Sequence, residues 1–246
     1  MGESRKVDLK TLIVTPTYNE RANLERFITE VRAQAPSADL LVVDDASPDG
    51  TGELADEIAR RDPRVKVMHR PGKLGLGTAY VEAFRFGLGQ GYDYFFEMDA
   101  DLSHDPKYLA DFFRELASGA DVVVGSRNIP GGGVEGWGVG RQFVSKGGST
   151  YSRLILGVPI RDFTTGYKAF TRRALLAIDL DGIRSNGYSF QIEMTYRALR
   201  RKLRVVEVPI VFVDRTLGKS KMNGRIFVEA IGVVWRLRYE AARNRI

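Results

Sequence analysis

Short β-rich runs alternate with amphipathic helical patterns through the first half of this chain, and that alternation constrains the fold most. Thr11–Thr15 reads as a buried strand stopped by Pro16. The next segment carries Leu24, Phe27, Ile28 and Val31 on one helical face, with Asn19 placed to cap it, and closes at Pro36-Ser37. A strand over Leu40–Val43 runs into Asp44-Asp45. The turn Ser47-Pro48-Asp49-Gly50-Thr51 follows, then a helix from about Gly52 to Arg61 and a strand over Val65–His69. Strands that alternate with helices pair in parallel through right-handed crossovers. The fold class implied is α/β, a single domain with a mostly parallel central sheet flanked by helices. In such sheets ligands lie beyond the carboxyl ends of the strands.

Three strand ends converge on that crevice. They carry Pro16-Thr17-Tyr18-Asn19-Glu20, Asp44-Asp45 and, after the apolar run from Tyr94 to Met98, Asp99-Ala100-Asp101. In an extended chain residues i and i+2 face the same side, which would aim Asp99 and Asp101 at one site. Two close carboxylates repel, and one takes a proton unless a cation lies between them. Oxygen-only ligands suit Mg²⁺ or Mn²⁺, ions usually shared with substrate phosphates. A solvated acidic turn accounts for the same pair equally well. The convergence of three strand ends is the more informative feature, and a helix start near Asn19 adds N–H groups for a phosphate.

The rest of the chain offers weaker signals. Pro71 to Thr78 is glycine-rich and leads into a helix, yet is neither a Walker loop nor a dinucleotide fingerprint in its usual place. Lys73 there suits a phosphate, and a tight helix start accounts for the glycines as well. His69 and His104 are the only histidines and receive no role. Ala120–Gly125 reads as a strand ending in Ser126-Arg127. Pro130 to Gly138, with many glycines around Trp137, suggests a mobile lid. Phe143–Leu156 is one helix or two, weakened at Gly147-Gly148. Asp162 to Lys168 is a polar turn before Ala169-Phe170, and Tyr188–Leu199 is a helix. Val205–Val213 is a last strand, with Pro209 marking an edge or a bulge. Arg215, Lys219 and Lys221 follow, suited to phosphate or simply solvated. The tail from Arg225 is helical. Its stripe of Ile226, Phe227, Ala230, Ile231, Val234 and Leu237, with Arg236, Arg238, Arg243 and Arg245, fits either a membrane surface or the chain's own domain.

Composition bounds the function. Cysteine is absent, which removes disulfides and thiolate metal sites. The net charge of +6 points to an anionic partner: nucleic acid, a lipid surface or a phosphorylated substrate. No nucleic-acid motif supports the first. Met1 to Lys10 is polar, and no apolar run approaches the ~20 residues of a membrane span. The expectation is a cytoplasmic protein associated peripherally with the membrane.

Taken together, Pro16 to Glu20, Val43 to Thr51, Lys73 to Tyr80 and Met98 to His104 closely resemble the dolichol-phosphate (polyprenol-phosphate) mannose synthases. These are inverting transferases of the GT-A fold within glycosyltransferase family 2. The likeness continues through Gly125-Ser126-Arg127, Gly133 to Trp137 and Val213-Asp214-Arg215, and spans Thr11 to Lys221. It implies a polar segment over 1–10, a GT-A domain over 11–224 and an amphipathic helix over 225–246. By this resemblance Pro16, Tyr18, Glu20, Val43 and Asp45 line the nucleoside pocket of GDP-mannose. Asp99, Ala100 and Asp101 face the diphosphate and sugar. Asp99 and Asp101, with Ser103, hold Mg²⁺ or Mn²⁺. Arg127, Arg215 and Lys221 contact the donor or the phosphates, and Asp101, Arg215 and Lys221 serve catalysis. The acceptor implied is a polyprenyl phosphate. Some relatives carry transmembrane helices after the catalytic domain and this chain ends at Ile246, so a separate membrane protein is the expected anchor.

The implied chemistry is physically coherent. A phosphate monoester carries roughly −1.5 to −2 charges at neutral pH, so its oxygen is already a nucleophile and needs no general base. The protein's tasks are to align that oxygen with the anomeric carbon and to stabilise the departing diphosphate. Two alternatives stand beside this reading. One is a UDP-sugar-dependent glucosyl- or N-acetylhexosaminyltransferase acting on the same lipid. The other is a non-catalytic nucleotide- or lipid-binding module.

Overall fold

The computed structural model describes residues 9–136, 139–214, 224–243 and 246, and side chains for all of these except 139–144 and 224–230. In chain order the elements are β1 (Thr11–Thr17), α1 (Arg21–Gln34), β2 (Asp39–Asp44), α2 (Thr51–Arg61), β3 (Val65–His69), α3 (Leu76–Gly89), β4 (Tyr94–Glu97), α4 (Leu109–Ala117) and β5 (Val122–Ser126). There follow β6 (Gly133–Glu135), α5 (Val139–Leu156), β7 (Lys168–Thr171), α6 (Arg172–Ile178), α7 (Gly187–Arg200), β8 (Val205–Pro209), β9 (Val211–Val213) and α8 (Gly224–Ala242).

Seven strands form one sheet in the order β3-β2-β1-β4-β7-β5-β8. The β1–β2, β2–β3, β1–β4 and β5–β8 pairs are parallel, as the alternation predicts. The exception is β7, which runs antiparallel between β4 and β5. The sequence pattern reads this region only as a polar turn, because four residues are too few to show a period. Its reversal matters: β7 begins at the end of the sheet where β4 and β5 stop, so the residues just before it enter the crevice.

The sheet is buried on both faces, and its strands are accordingly near-continuous apolar runs. On one side Leu24, Phe27, Val31 and Phe112 of α1 and α4 pack over Ile13, Val42 and Phe96. On the other, Tyr80, Phe84, Phe190 and Met194 of α3 and α7 pack over Val14, Phe95 and Phe170. A third cluster joins Val234, Leu237 and Ala241 of α8 to Leu156, Phe163, Ile192 and Tyr196. The described part of the tail stripe therefore packs on its own domain; the side chains of Ile226, Phe227 and Ala230, and all of Arg245, lie outside the described residues.

Three local expectations change. Asn19 does not cap α1: Glu20 holds that position without a side-chain cap bond, and Asn19 adopts φ +62° in the turn before it. Helix α5 runs unbroken through Gly147-Gly148, where the Ser152 hydroxyl bonds back to the Gly148 carbonyl at 2.9 Å. Val205–Val213 divides at buried Ile210; β8 forms the sheet edge that suits Pro209, and β9 leaves to pair with β6. The supposed lid thus holds a short strand, while Trp137 lies outside the described residues.

Candidate functional site

The chain turns sharply at each strand end that faces the crevice. After β1, β2 and β4, the non-glycine residues Asn19, Ala46 and Leu102 adopt φ of +62°, +53° and +63°. Asn tolerates this region; Ala and Leu meet a steric penalty of roughly 1–2 kcal/mol each. Polar side chains hold the turns in place. Asp44 accepts from the Thr17 hydroxyl at 3.0 Å and the Ser47 N–H at 3.0 Å. The Thr51 hydroxyl accepts the Glu20 N–H at 3.0 Å. Backbone strain maintained this way gathers where geometry serves function.

Between these turns and α7 lies a cleft of about 380 Å³. Pro16, Tyr18, Glu20 and Asp45 form one end. Asp99, Ala100 and Asp101 form the floor, and Thr164, Gly166, Asn186, Tyr188 and Gln191 face them. Lys73 and Gly75 complete a side wall, with Lys73 Nζ 4.0 Å above the centre of the Tyr18 ring. Asp45 is fixed by Arg70, whose Nη1 stands 2.5 Å from Oδ1.

Asp99 and Asp101 do share this cleft, though not by strand alternation. Strand β4 ends at Glu97, and a turn carries both carboxylates inward. One Asp101 oxygen, Oδ1, accepts the Ser103 hydroxyl at 2.5 Å and the Ser103 N–H at 3.1 Å. Ser103 is buried and does not line the cleft, so it orients Asp101. His104, left without a role by the sequence, is buried behind the turn: its Nδ1 accepts the Asp99 N–H at 3.0 Å, and its ring stacks on Tyr167. Burial pushes its pKa down to about 4 against the pull of Asp101, so the ring is neutral and can accept. As for metal, no group of three His, Cys, Asp or Glu comes together among the described residues. The two cleft carboxylates offer hard oxygen ligands that suit Mg²⁺ or Mn²⁺ if phosphate and water complete the shell.

Beneath the floor, Glu97 and Lys168 are adjacent in the β4–β7 register and fully buried. Burial raises Glu97 to about 7, opposed by Lys168, and lowers Lys168 to about 8, opposed by Glu97. Lys168 Nζ donates to the Gln191 carbonyl at 2.7 Å, which ties the floor to α7.

Besides Ser103, two expected residues lie outside the cleft lining. Val43 is fully buried in the core beneath the cleft. Arg127 lies outside the cleft lining and grips Asp162 with Nε at 2.7 Å and Nη2 at 2.8 Å. Burial alone would raise the Asp162 carboxyl; the guanidinium outweighs it and holds it below its ordinary value. Nη2 also donates to the Thr164 hydroxyl at 2.8 Å, and Thr164 does line the cleft. On its far side Arg127 opens on a second pocket of about 360 Å³ with Lys146, Arg153 and Arg161, and no carboxylate among its described lining residues. Arg215 and Lys221 lie outside the described residues.

The sequence matches the family described as Glycosyl transferase family 2 over residues 12–178. It is 49% identical over 242 residues to the undecaprenyl-phosphate mannosyltransferase of Micrococcus luteus, covering 97% of this chain and 99% of that protein. It is also 49% identical over 239 residues to the polyprenol monophosphomannose synthase of Mycolicibacterium smegmatis, covering 96% and 90%. Among solved structures, the fold resembles glucosyl-3-phosphoglycerate synthase from Mycobacterium tuberculosis, with a TM-score of 0.66 at 17% identity over 95% of this chain and 80% of that one. A mannosyltransferase from Pyrobaculum calidifontis in complex with GDP-Man and Mn²⁺ gives a TM-score of 0.60 at 17% identity, covering 96% and 64%.

Proposed function

The chain belongs to glycosyl transferase family 2, and from that premise we propose that it transfers mannose from GDP-mannose to a polyprenyl phosphate, with inversion at the sugar. The observation that carries this reading is the pairing of two sites through Thr164: a cleft with two carboxylates on its floor, and a cation-lined pocket with Arg127 between them. A nucleoside diphosphate sugar suits the first and a phosphate monoester the second. The two relatives of 49% identity bear the names of polyprenyl-phosphate mannosyltransferases, which supports the sugar and the acceptor class.

In this reading Tyr18, Glu20 and Asp45 bind the nucleoside, and Asp99 and Asp101 turn toward the diphosphate. An acceptor oxygen attacks the anomeric carbon in line. The bond from that carbon to the diphosphate oxygen breaks, and its electron pair leaves with the nucleotide. No side chain removes a proton, because the acceptor is already ionised. Mg²⁺ or Mn²⁺ held by Asp99 and Asp101 would supply charge neutralisation for the leaving diphosphate. Arg215 and Lys221 are assigned to the same phosphates from the sequence. The prenyl chain stays in a bilayer, so the enzyme works at a membrane surface.

The test offers labelled GDP-mannose, or labelled UDP-sugars, with a short polyprenyl phosphate. Label should reach the organic phase from GDP-mannose only, and chelation should abolish it. Asp101→Asn should lower kcat about 10²- to 10³-fold, the scale for losing one electrostatic stabiliser of a leaving group. Transfer from a UDP-sugar alone, or full activity of Asp101→Asn in chelator, overturns the reading.

A further inference from the structure

The glycine-rich wall of the cleft, Gly75 and Leu76, runs on into Gly77 and is held by Asn186, which also lines the cleft. The Gly77 N–H donates to Asn186 Oδ1 at 2.7 Å, and Asn186 Nδ2 donates to the Leu74 carbonyl at 3.4 Å. The fit leaves no slack. A Cβ on Gly77 would stand 2.8 Å from the Ser185 carbonyl, and one on Gly75 would overlap the Asn186 side chain. The wall and the Ser185-Asn186 segment therefore share one position.

That segment is anchored in turn by Glu193 of α7, whose side chain is fully buried. Glu193 Oε2 accepts the Ser185 N–H at 3.1 Å together with its hydroxyl, and Oε1 accepts Arg197 Nε at 3.0 Å. The last member comes from the C-terminal helix. Arg236 Nη2 lies 2.7 Å from Glu193 Oε2 and 2.8 Å from Ser185 Oγ. The sequence leaves Arg236 open between a membrane surface and the chain's own domain; the structure turns it inward.

We propose that Arg236 is a positioning residue for the nucleotide, acting through Glu193 and Ser185 on Asn186, and through Asn186 on the Gly75–Gly77 wall. The inference rests on the reading of the cleft as the donor site. Losing Arg236 does not orphan Glu193, which keeps Arg197 and the Ser185 N–H, so the cost of an unpaired buried charge is avoided. What is lost is the second clamp on Ser185. The wall then samples positions that do not fit the nucleotide, and apparent affinity falls by the fraction of time spent there. Coupling of this kind is reciprocal, so nucleotide binding also steadies α8.

The experiment is calorimetry of GDP and of UDP on the full chain, with transfer kinetics alongside. Arg236→Gln and Asn186→Ala should each weaken binding of the preferred nucleotide about tenfold, while the KM for polyprenyl phosphate stays level. Arg236→Lys should recover most of the loss. Because both residues act on one path, the double variant should bind no more weakly than Asn186→Ala alone, a non-additivity that distant independent sites do not show. Nucleotide affinity unchanged in Arg236→Gln overturns the proposal, and so do losses that multiply in the double variant. Should Arg236→Gln fail to fold, Ser185→Ala tests the same clamp, and wild-type affinity there overturns it equally. A wild-type chain that binds neither nucleotide removes the donor-site reading, and this inference with it.

Discussion

At the scale of single residues, His104 shows how a side chain can serve the site without touching a substrate. Its Nδ1 is the partner of the Asp99 N–H, and it is buried against Tyr167 and Phe212. Removing it takes the acceptor from the part-buried Asp99 N–H, at roughly 1–3 kcal/mol, and leaves a cavity beside it. His104→Ala should therefore lower both stability and transfer, contrary to the tolerance that a histidine without a role would imply. His104→Asn keeps an acceptor near Nδ1 and should recover most of both. Urea unfolding and kcat on the two variants check this; equal losses in both would deny the hydrogen bond its role.

At the scale of elements, the loop that leads into β7 carries the link between the two pockets, and the Arg127–Asp162 pair is its fixed point. Both side chains are buried, so breaking the pair exposes the full cost of an uncompensated charge, roughly 3–5 kcal/mol. Asp162→Asn should lose about that much at pH 7. The pH dependence has a definite sign. The Asp162 pKa is lower in the folded protein than its ordinary 3.8, so its contribution is complete above that value and disappears as pH falls through the folded one. Wild type should lose stability on that acid limb and Asp162→Asn should lose less, measured as unfolding midpoints from neutral pH down to about pH 2. Parallel curves would assign the acid limb to other carboxylates.

At the scale of the whole molecule, the question is how a chain with no membrane-spanning helix among its described residues would reach the lipid acceptor proposed for it. Exposed side chains on two packed helices offer an answer. Helix α8 buries Val234, Leu237 and Ala241 while Trp235 and Tyr239 stay exposed, and Leu154 is exposed on α5, which packs beside it. Trp and Tyr favour the membrane–water interface. Arg238 and Arg243 are exposed on the same helix, and each cation near anionic lipid contributes about 1 kcal/mol. Vesicle sedimentation should show binding to anionic liposomes that weakens with salt. Trp235→Ser with Tyr239→Ser, and separately Arg238→Glu, should reduce it. No wild-type binding at any salt would remove this surface from consideration and leave recruitment to a partner protein.

The sequence by itself determined the βαβ alternation, because periodicity and turn chemistry are local. It determined which strand ends carry Tyr18, Glu20, Asp45, Asp99 and Asp101, since a motif is a run of neighbours. Only the tertiary structure decided the rest, and each case depends on residues far apart in the chain. The reversal of β7 comes from its pairing between β4 and β5, too short to leave a period. Arg127 stands in the sequence as a lone cation after a strand, and only the fold brings Asp162, 35 residues on, around it. The resemblance sets Ser103 beside the metal and leaves His104 without a role, and only the fold shows that Ser103 bonds Asp101 and His104 holds the Asp99 backbone. Asn186 and Gly77 are 109 residues apart, and Arg236 and Glu193 are 43 apart. No local pattern marks such pairs, because a hydrogen bond across the fold is specified by the packing of whole elements and not by the spacing of residues along one of them.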